Sequence, residues 1–370
     1  MDIFGMLKMA KDKGASDLHL VAGSPPLLRV KGDLEPADAP PLTAEDMEAA
    51  FNRITSEKEK ADFHQRLELD LGCTFPEIGR VRCNAAMQRG TISMVIRLLP
   101  LKIPSIEDLG LPAVCRDLVM KRRGLVVVSG PTGSGKSTTL AAMIEYLNHT
   151  EKRRVITLED PVEYVYVSRE CSITQRELGS DTLSFAEALK HVLRQDPDVI
   201  LVGELRDLET ASAALTVAET GHLVLTTGHA PSTSQAIERI MDLFPPHERH
   251  LAQSQLASLV IGVLCQALVP TADGAGRVAA IEVMLASSAV RNLIREGKTY
   301  QLPNAIRMHN QQGMQLLDQA LINLYFRGAI TRENLFSFCN DPDETEKAIA
   351  GGKVVQRVTP DINNIMPSLD

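Results

Sequence analysis

Residues 130–137 follow the pattern G-x-x-x-x-G-K-S, in which glycines precede a lysine and a hydroxyl side chain. Glycine lets backbone N–H groups approach phosphate oxygens because no Cβ stands in the way. At this spacing Lys136 would reach the β- and γ-phosphates of a nucleoside triphosphate, and the Ser137 hydroxyl would ligate its Mg²⁺. The pattern predicts a phosphate-binding loop, with the ligand-binding residues Gly130, Thr132, Gly133, Ser134, Gly135, Lys136, Ser137 and Thr138.

The segments on either side supply the context that such a loop needs. The apolar run 125–128 predicts a buried strand, and residues 137–148 predict a helix. The N-terminus of that helix would add its partial positive charge to phosphate binding. A glycine-rich turn without a ligand is the alternative, but such a turn has no need of Lys136 or Ser137 at these positions.

Acidic side chains follow two further predicted strands: Glu159, Asp160 and Glu163 come after one, and Glu204 comes after the next. Because ligands of parallel sheets bind beyond the carboxyl ends of the strands, these side chains are expected to face the site. The first three would hold Mg²⁺, partly through its water molecules, or position the attacking water. Glu204 is predicted to polarise that water as general base, with direct Mg²⁺ ligation less favoured. A solvated turn or helix start is the alternative for these carboxylates.

Two histidines bracket the following predicted strand, His222 at its start and His229 just beyond its end. A lone histidine is more often structural than catalytic, so spacing alone favours a structural role for each. Because His229 is predicted to lie near the same sheet edge as Glu204, it is the candidate sensor of the γ-phosphate.

Helices and strands alternate around these motifs from about residue 105 onward. Such alternation predicts an α/β fold, in which a parallel sheet is covered by helices. Residues 236–350 are predicted to be mainly helical, with breaks at Gly262, at Pro270 and in the turn 273–276.

The first hundred residues have a different pattern, in which short alternating segments are interspersed with helical ones. Pro100 and Pro104 stand in a stretch without periodicity, which is typical of a domain boundary. The predicted organisation is an α+β domain at 1–100, a linker at 101–104, the α/β domain at 105–350 and a loosely held tail at 351–370.

Arginines are concentrated in or beside the predicted strands of the first domain, at Arg80, Arg82, Arg89 and Arg97. Alternation places Arg80 and Arg82 on one face of a strand. A solvated strand face is the ordinary explanation. The functional alternative is that some of these side chains reach the γ-phosphate of a neighbouring subunit, where an arginine contributes about 10³- to 10⁵-fold in rate.

The composition is that of an ordinary globular protein, since 44% of the 370 residues are hydrophobic and 23% are charged. It excludes disorder as the main state. The net charge of -8 gives no overall attraction to nucleic acid or anionic lipid, so neither is a predicted partner.

The six cysteines are scattered singly, without C-x-x-C pairs or histidines at zinc-ligand spacing, so we expect reduced, mostly buried thiols and no zinc. The longest apolar stretch, residues 256–269, is short and interrupted by Ser258 and Gln266. No direct membrane insertion is therefore predicted, and a cytoplasmic location is expected, with membrane contact only through a partner.

Six segments together resemble the type IV pilus retraction ATPases, the PilT family within the type II/IV secretion ATPase superfamily. They are residues 14–20 (GASDLHL), 130–140, 157–164 (TLEDPVEY), 193–198 with 203–204, 219–229, and 289–296 (AVRNLIRE). The last segment resembles one associated with retraction, although an ordinary amphipathic helix would have the same periodicity.

The resemblance implies a PAS-like first domain, a RecA-like second domain and a homohexameric ring that binds ATP and Mg²⁺ between domains and subunits. It also implies nucleotide contacts for Arg80, Arg82 and Arg97, and docking on a platform protein at the pilus base, at the cytoplasmic face of the inner membrane. The implied function is ATP-driven pilus retraction, which powers twitching motility.

Two departures from the family pattern bear on the subfamily: Gly228 stands before the second histidine, where a bulky residue is usual, and Val290 replaces isoleucine.

Pilus assembly or type II secretion is the first alternative function, and the missing tetracysteine motif disfavours it. A nucleotide-gated regulatory ring with little turnover and a nucleic-acid translocase are the others.

Overall fold

The computed structural model describes residues 2–30, 32–99 and 102–352. The chain divides into two compact units, one formed by Met1–Lys102 with Pro161–Val165 and the other by Ile103–Asp160 with Tyr166–Asp370. Apart from Gly351 and Gly352, the predicted tail lies outside the described residues.

In its described residues, the first unit is an antiparallel sheet with three helices. The helices are α1 (Ile3–Asp12), α2 (Ala44–Ile54) and α3 (Glu57–Arg66), and the strands are β1 (Asp17–Val21), β2 (Leu27–Val30), β3 (Asp33–Pro36), β4 (Glu68–Phe75), β5 (Gly79–Gln88) and β6 (Thr91–Leu98). The strands lie in the order β3-β2-β1-β6-β5-β4. The sequence pattern did not predict β3, which is exposed along its whole length and has no apolar alternation.

Capping residues determine where α2 and α3 begin. Thr43 and Ser56 each accept a hydrogen bond from the third backbone N–H of the helix, and an acidic side chain at that position bonds back to the cap. Phe51 and Phe63, one from each helix, then pack with their ring centroids 4.6 Å apart in the core of this unit. Local capping thus fixes the two helices that cover the sheet.

The second unit is a seven-stranded mixed sheet flanked by helices. Its strands are β7 (Gly124–Ser129), β8 (Arg154–Glu159), β9 (Ser172–Glu177), β10 (Val199–Val202), β11 (Leu223–Thr227), β12 (Val260–Pro270) and β13 (Arg277–Leu285). Its helices are α4 (Val114–Val119), α5 (Lys136–Thr150), α6 (Phe185–Val192), α7 (Leu208–Glu219), α8 (Thr233–Asp242), α9 (Arg249–Leu259), α10 (Ser288–Arg295), α11 (Leu302–Met308), α12 (Leu317–Phe326), α13 (Arg332–Phe338) and α14 (Pro342–Ala350). The smaller α+β unit and the helix-covered sheet confirm the predicted fold class.

The strand order is β13-β12-β7-β11-β10-β8-β9, and all neighbours run parallel except β12 and β13. Every residue of β7 and β10 is buried, as expected for strands covered on both faces. The carboxyl ends of β7, β11, β10 and β8 consequently lie along one edge of the sheet, where each is followed by a predicted site residue.

The prediction of a mainly helical region at 236–350 is wrong for β12 and β13, which form an antiparallel hairpin in the sheet. Gly262, predicted as a helix break, lies inside β12. The physical reason is that the first seven residues of β12 are all buried, so the run shows no two-residue alternation that would distinguish it from a buried helix. The strand β9 was missed because its side chains are mostly polar.

Most of the six cysteines are buried, as expected from the sequence. None of the six forms a disulfide; Cys83, Cys115, Cys171 and Cys265 are buried, and burial raises the pKa of Cys83 and of Cys115 to about 12. Within the described part of the chain, no helix is both long and apolar enough to cross a bilayer.

The segment 289–296 forms most of α10, and its first arginine points inward. Arg291 is 8% exposed, and its guanidinium donates to the carbonyl oxygens of Ala257 (2.8 Å) and Ser258 (2.5 Å) near the end of α9 and of Ala286 (3.1 Å). A cation at a helix C-terminus is favourably placed for the helix dipole. Arg291 therefore ties α9 to the connection between β13 and α10.

We expect the substitution Arg291→Met to reduce the free energy of unfolding by about 2–4 kcal/mol, because it removes the charged donors of buried carbonyl groups. Thermal unfolding followed by circular dichroism measures the effect. Arg295→Met, at an exposed position of the same helix, is the matched control and should change stability by less than about 0.5 kcal/mol. Equal effects of the two substitutions would contradict the capping role.

Candidate active site

The phosphate-binding loop connects β7 to α5 in the second unit. Gly133 and Gly135 have φ values of 78° and 87°, in the left-handed region that glycine adopts without strain. A Cβ built on Gly133 would have no neighbour within 4 Å, and Pro131, Thr132 and Gly133 are exposed. The loop thus presents an open, backbone-lined surface at the N-terminus of a 15-residue helix, which fits an anionic ligand.

The side chain of Lys136 lies across this loop. Its Nζ atom donates to the carbonyl oxygens of Gly130 (2.9 Å) and Pro131 (3.0 Å), and the residue is 9% exposed. The ammonium group is therefore held beside the loop backbone, within the predicted phosphate site. Ser137 and Thr138 follow in the first turn of α5 and are partly buried.

The loop is also held by Gln266 of β12, which the sequence interpretation treated only as an interruption of an apolar run. The amide of Gln266 donates to the carbonyl oxygen of Ser134 and accepts a hydrogen bond from Thr139, each at 2.7 Å. The available signal was one polar residue inside a buried strand, but the strand itself was not predicted.

Ser129, the last residue of β7, joins the loop to the chain after β11. Its Oγ atom accepts a hydrogen bond from the Ala230 N–H (2.9 Å) and donates to the Ala230 carbonyl oxygen (2.7 Å). A Cβ on Gly228 would lie only 3.0 Å from this hydroxyl oxygen, so glycine gives Ser129 room. The unusual glycine before His229 therefore has a structural explanation in this chain.

Glu204 follows β10, and its carboxylate contacts two side chains of the site. Its Oε2 atom lies 3.2 Å from Nε2 of His229, and its Oε1 atom is paired with Arg206. Arg206 also bonds to Asp160 after β8, at 3.2 Å. The structure thus brings Asp160, Glu204 and His229 together, with Arg206 as a member that the sequence interpretation did not single out.

The ionisation of Glu204 follows from these contacts. Partial burial raises the pKa of its carboxyl group, but hydrogen bonding and positive charge from Arg206, together with a hydrogen bond from His229, lower it more. The pKa therefore lies below its usual value, and the side chain is an anion at neutral pH.

Two further predicted metal ligands, Glu159 and Glu163, belong to different units. The carboxylate of Glu159 accepts hydrogen bonds from Thr157 (2.6 Å) and Gln175 (3.1 Å). Glu163 is exposed and belongs to the segment Pro161–Val165 of the first unit. Among the described residues, no group of three or more histidine, cysteine, aspartate or glutamate side chains is arranged to hold a metal ion.

Three of the candidate arginines, Arg80, Arg82 and Arg97, lie on β5 and β6 of the first unit, and Arg89 lies in the turn between them. Arg80 and Arg82 alternate with the buried residues Val81 and Cys83 and so share one strand face. Arg97 pairs in register with Arg82, and its Nε atom donates to Asp17 at 2.8 Å although 63% of its side chain is exposed. The three arginines therefore share one face of the sheet, where Asp17 partly balances their charge.

His222 has local partners that differ from those of His229. Its Nδ1 atom lies 3.0 Å from the Thr220 hydroxyl and 3.2 Å from the Val217 carbonyl oxygen, both at the end of α7. These contacts stabilise the turn before β11, which agrees with a structural role.

Comparisons with known proteins identify the family of this chain. The family model described as "Type II/IV secretion system protein" matches residues 80–336. The type IV pilus retraction ATPase PilT of Pseudomonas aeruginosa is 46% identical over 334 residues, covering 90% of this chain and 97% of that protein. The type IV pilus ATPase PilU of the same organism is 40% identical over 352 residues, covering 95% and 92%.

A solved structure of the pilus retraction motor PilT with bound ADP superimposes with a TM-score of 0.88 at 42% sequence identity, covering 94% of this chain and 99% of that one. Sequence and fold therefore match over nearly the whole length of these relatives. The chain belongs to the type II/IV secretion system protein family and, within it, to the PilT family of pilus retraction ATPases.

Proposed function

We propose that this protein is an ATP-hydrolysing motor that powers the disassembly and retraction of type IV pili, and thereby twitching motility. The observation that carries the proposal is the contact between Glu204 and His229 at one sheet edge, where the phosphate-binding loop also begins. Similarity to PilT and PilU favours retraction over assembly, secretion, passive regulation or nucleic-acid translocation.

In this proposal the loop residues bind the phosphates of ATP. Backbone N–H groups and the α5 N-terminus stabilise the negative charge, and Lys136 provides a mobile cation beside the β- and γ-phosphates. Bound Mg²⁺ would neutralise phosphate charge. The Ser137 hydroxyl is its proposed direct ligand, and Glu159, Asp160 and Glu163 are proposed to act partly through water.

Glu204 is the proposed general base, and its ionised carboxylate can accept a proton from the attacking water. His229 contacts the same carboxylate and is proposed to sense the γ-phosphate. Since Arg206 already pairs with Glu204, the base is oriented before a ligand enters. A preorganised charge of this kind stabilises a transition state without costly rearrangement.

The proposed working assembly is a homohexamer at the cytoplasmic face of the inner membrane, docked on a platform protein of the pilus base. Arg80, Arg82 and Arg97 are proposed to contact the nucleotide of a neighbouring subunit, which their position on one face of the sheet supports. An arginine supplied in this way is worth about 10³- to 10⁵-fold in rate, so the isolated subunit should turn over ATP slowly.

Substitution Lys136→Ala should weaken ATP binding by about 10- to 100-fold, because a charge-assisted hydrogen bond to phosphate is lost. Equilibrium binding of a fluorescent ATP analogue measures the loss. Lys152→Ala, at an exposed lysine just beyond α5, is the control and should bind normally. Unchanged affinity of the Lys136 variant would refute its role.

Substitution Glu204→Gln should leave ATP binding within about twofold but lower the rate of phosphate release by about 10²- to 10⁴-fold, because the amide cannot accept the proton. Steady-state phosphate release and ATP binding are measured on the same preparations. Glu209→Gln, at an exposed position on α7, is the matched control. Full turnover by the Glu204 variant would exclude it as the base.

Deletion of the gene should increase the number of pili per cell, because pili would still be extended but not withdrawn. Counting surface pili by electron microscopy tests this, with complementation by the wild-type gene and by Lys136→Ala. Only the wild type should restore the normal number. Cells without pili would instead indicate an assembly motor.

A further inference from the structure

We propose that Gln266 is a positioning residue of the nucleotide site, which holds the phosphate-binding loop and the first turn of α5 in the conformation that receives phosphate. The inference deepens the proposed function and rests on nucleotide binding by this loop. It concerns a residue on β12, more than a hundred positions away in the sequence from the loop that it contacts.

Both ends of the Gln266 amide are engaged by the loop and helix. Its Nε2 atom donates to the Ser134 carbonyl oxygen, and its Oε1 atom accepts from the Thr139 hydroxyl, both at 2.7 Å. One side chain therefore bridges the middle of the loop and the first turn of α5. Because the donor and the acceptor have different partners, the amide has one favoured orientation.

The bridge is buried, so its hydrogen bonds cannot be replaced easily by water. Gln266 is 5% exposed, Ser134 is 3% exposed and Thr139 is 1% exposed. An apolar side chain at position 266 would leave a buried carbonyl and a buried hydroxyl without these partners, which is costly. The loop would then shift to satisfy them.

Two glycines of the loop leave room for β12, the strand that carries Gln266. A Cβ on Gly130 would collide with the main-chain oxygen of Gln266, and one on Gly135 would lie 2.8 Å from its Nε2 atom. The register of the sheet explains this approach, because Cys265 of β12 pairs with Ser129, the residue directly before the loop. Gly130 and Gly135 therefore accommodate β12 as well as the proposed ligand.

This arrangement fixes the loop before ligand arrives. A loop without the bridge would have to become ordered on binding, and that ordering cost reduces affinity. If Gln266 has this role, its substitution should reduce nucleotide affinity by more than a general loss of protein stability would explain.

The test is calorimetric titration of the full chain with Mg·ADP, which avoids turnover. Gln266→Met should weaken binding by about 10- to 100-fold, since two buried hydrogen bonds are lost at the site. Gln315→Met is the matched control. The Gln315 amide donates to a main-chain oxygen of β13, at a distance of 2.8 Å, rather than to the phosphate-binding loop. It should bind Mg·ADP as the wild type does.

Thr139 provides a milder and independent test. Thr139→Val keeps the shape but removes the hydroxyl, and it should weaken binding by about 3- to 10-fold. Thr139→Ser should restore affinity because it keeps the donor. If the two residues act as one unit, the double variant Gln266→Met/Thr139→Val should lose little more affinity than Gln266→Met alone.

The outcomes of these titrations distinguish the proposed function from the positioning role of Gln266. A wild-type chain that does not bind Mg·ADP would refute the proposed function itself. Wild-type binding with affinity unchanged in Gln266→Met or in Thr139→Val would overturn the positioning role. An equal loss in Gln315→Met would do the same, since it would show a general effect on folding. If Gln266→Met does not fold, the comparison of Thr139→Val with Thr139→Ser decides.

Discussion

The parallel pairing of β7, β11, β10 and β8 is the constraint on which the site depends. Parallel neighbours have their carboxyl ends at the same edge, so the residues after each strand meet there although they are far apart in sequence. Burial of the strands on both faces keeps this edge fixed. The phosphate-binding loop, Glu204 and His229 are therefore placed by the sheet and adjusted only locally by their own side chains.

Much of this edge could be predicted from the sequence. The phosphate-binding loop, Glu204 and His229 each follow a short apolar run, and parallel topology makes the ends of such runs neighbours. Arg206 could not be assigned in the same way, because its pairing with Asp160 depends on side-chain directions across strands. Sequence spacing contains no information about those directions.

The hairpin of β12 and β13 shows a second limit on what the sequence can predict. A strand buried on both faces has lost the alternation that identifies strands, so its sequence resembles that of a buried helix. Because β12 was not predicted, Gln266 could not be related to the loop that it contacts. In the first unit, alternation around Arg80 and Arg82 was visible because only one face of β5 is buried.

The inward position of Arg291 has a consequence for the segment that resembles a retraction signature. Its guanidinium is occupied by main-chain oxygens, so it is hidden from any molecule that approaches α10. The chemistry that α10 and the residue after it offer to the outside resides in their exposed polar residues Asn292, Arg295 and Glu296. This short segment therefore has two separable parts: an arginine that binds neighbouring main chain inside the protein, and a polar surface that is open to solvent.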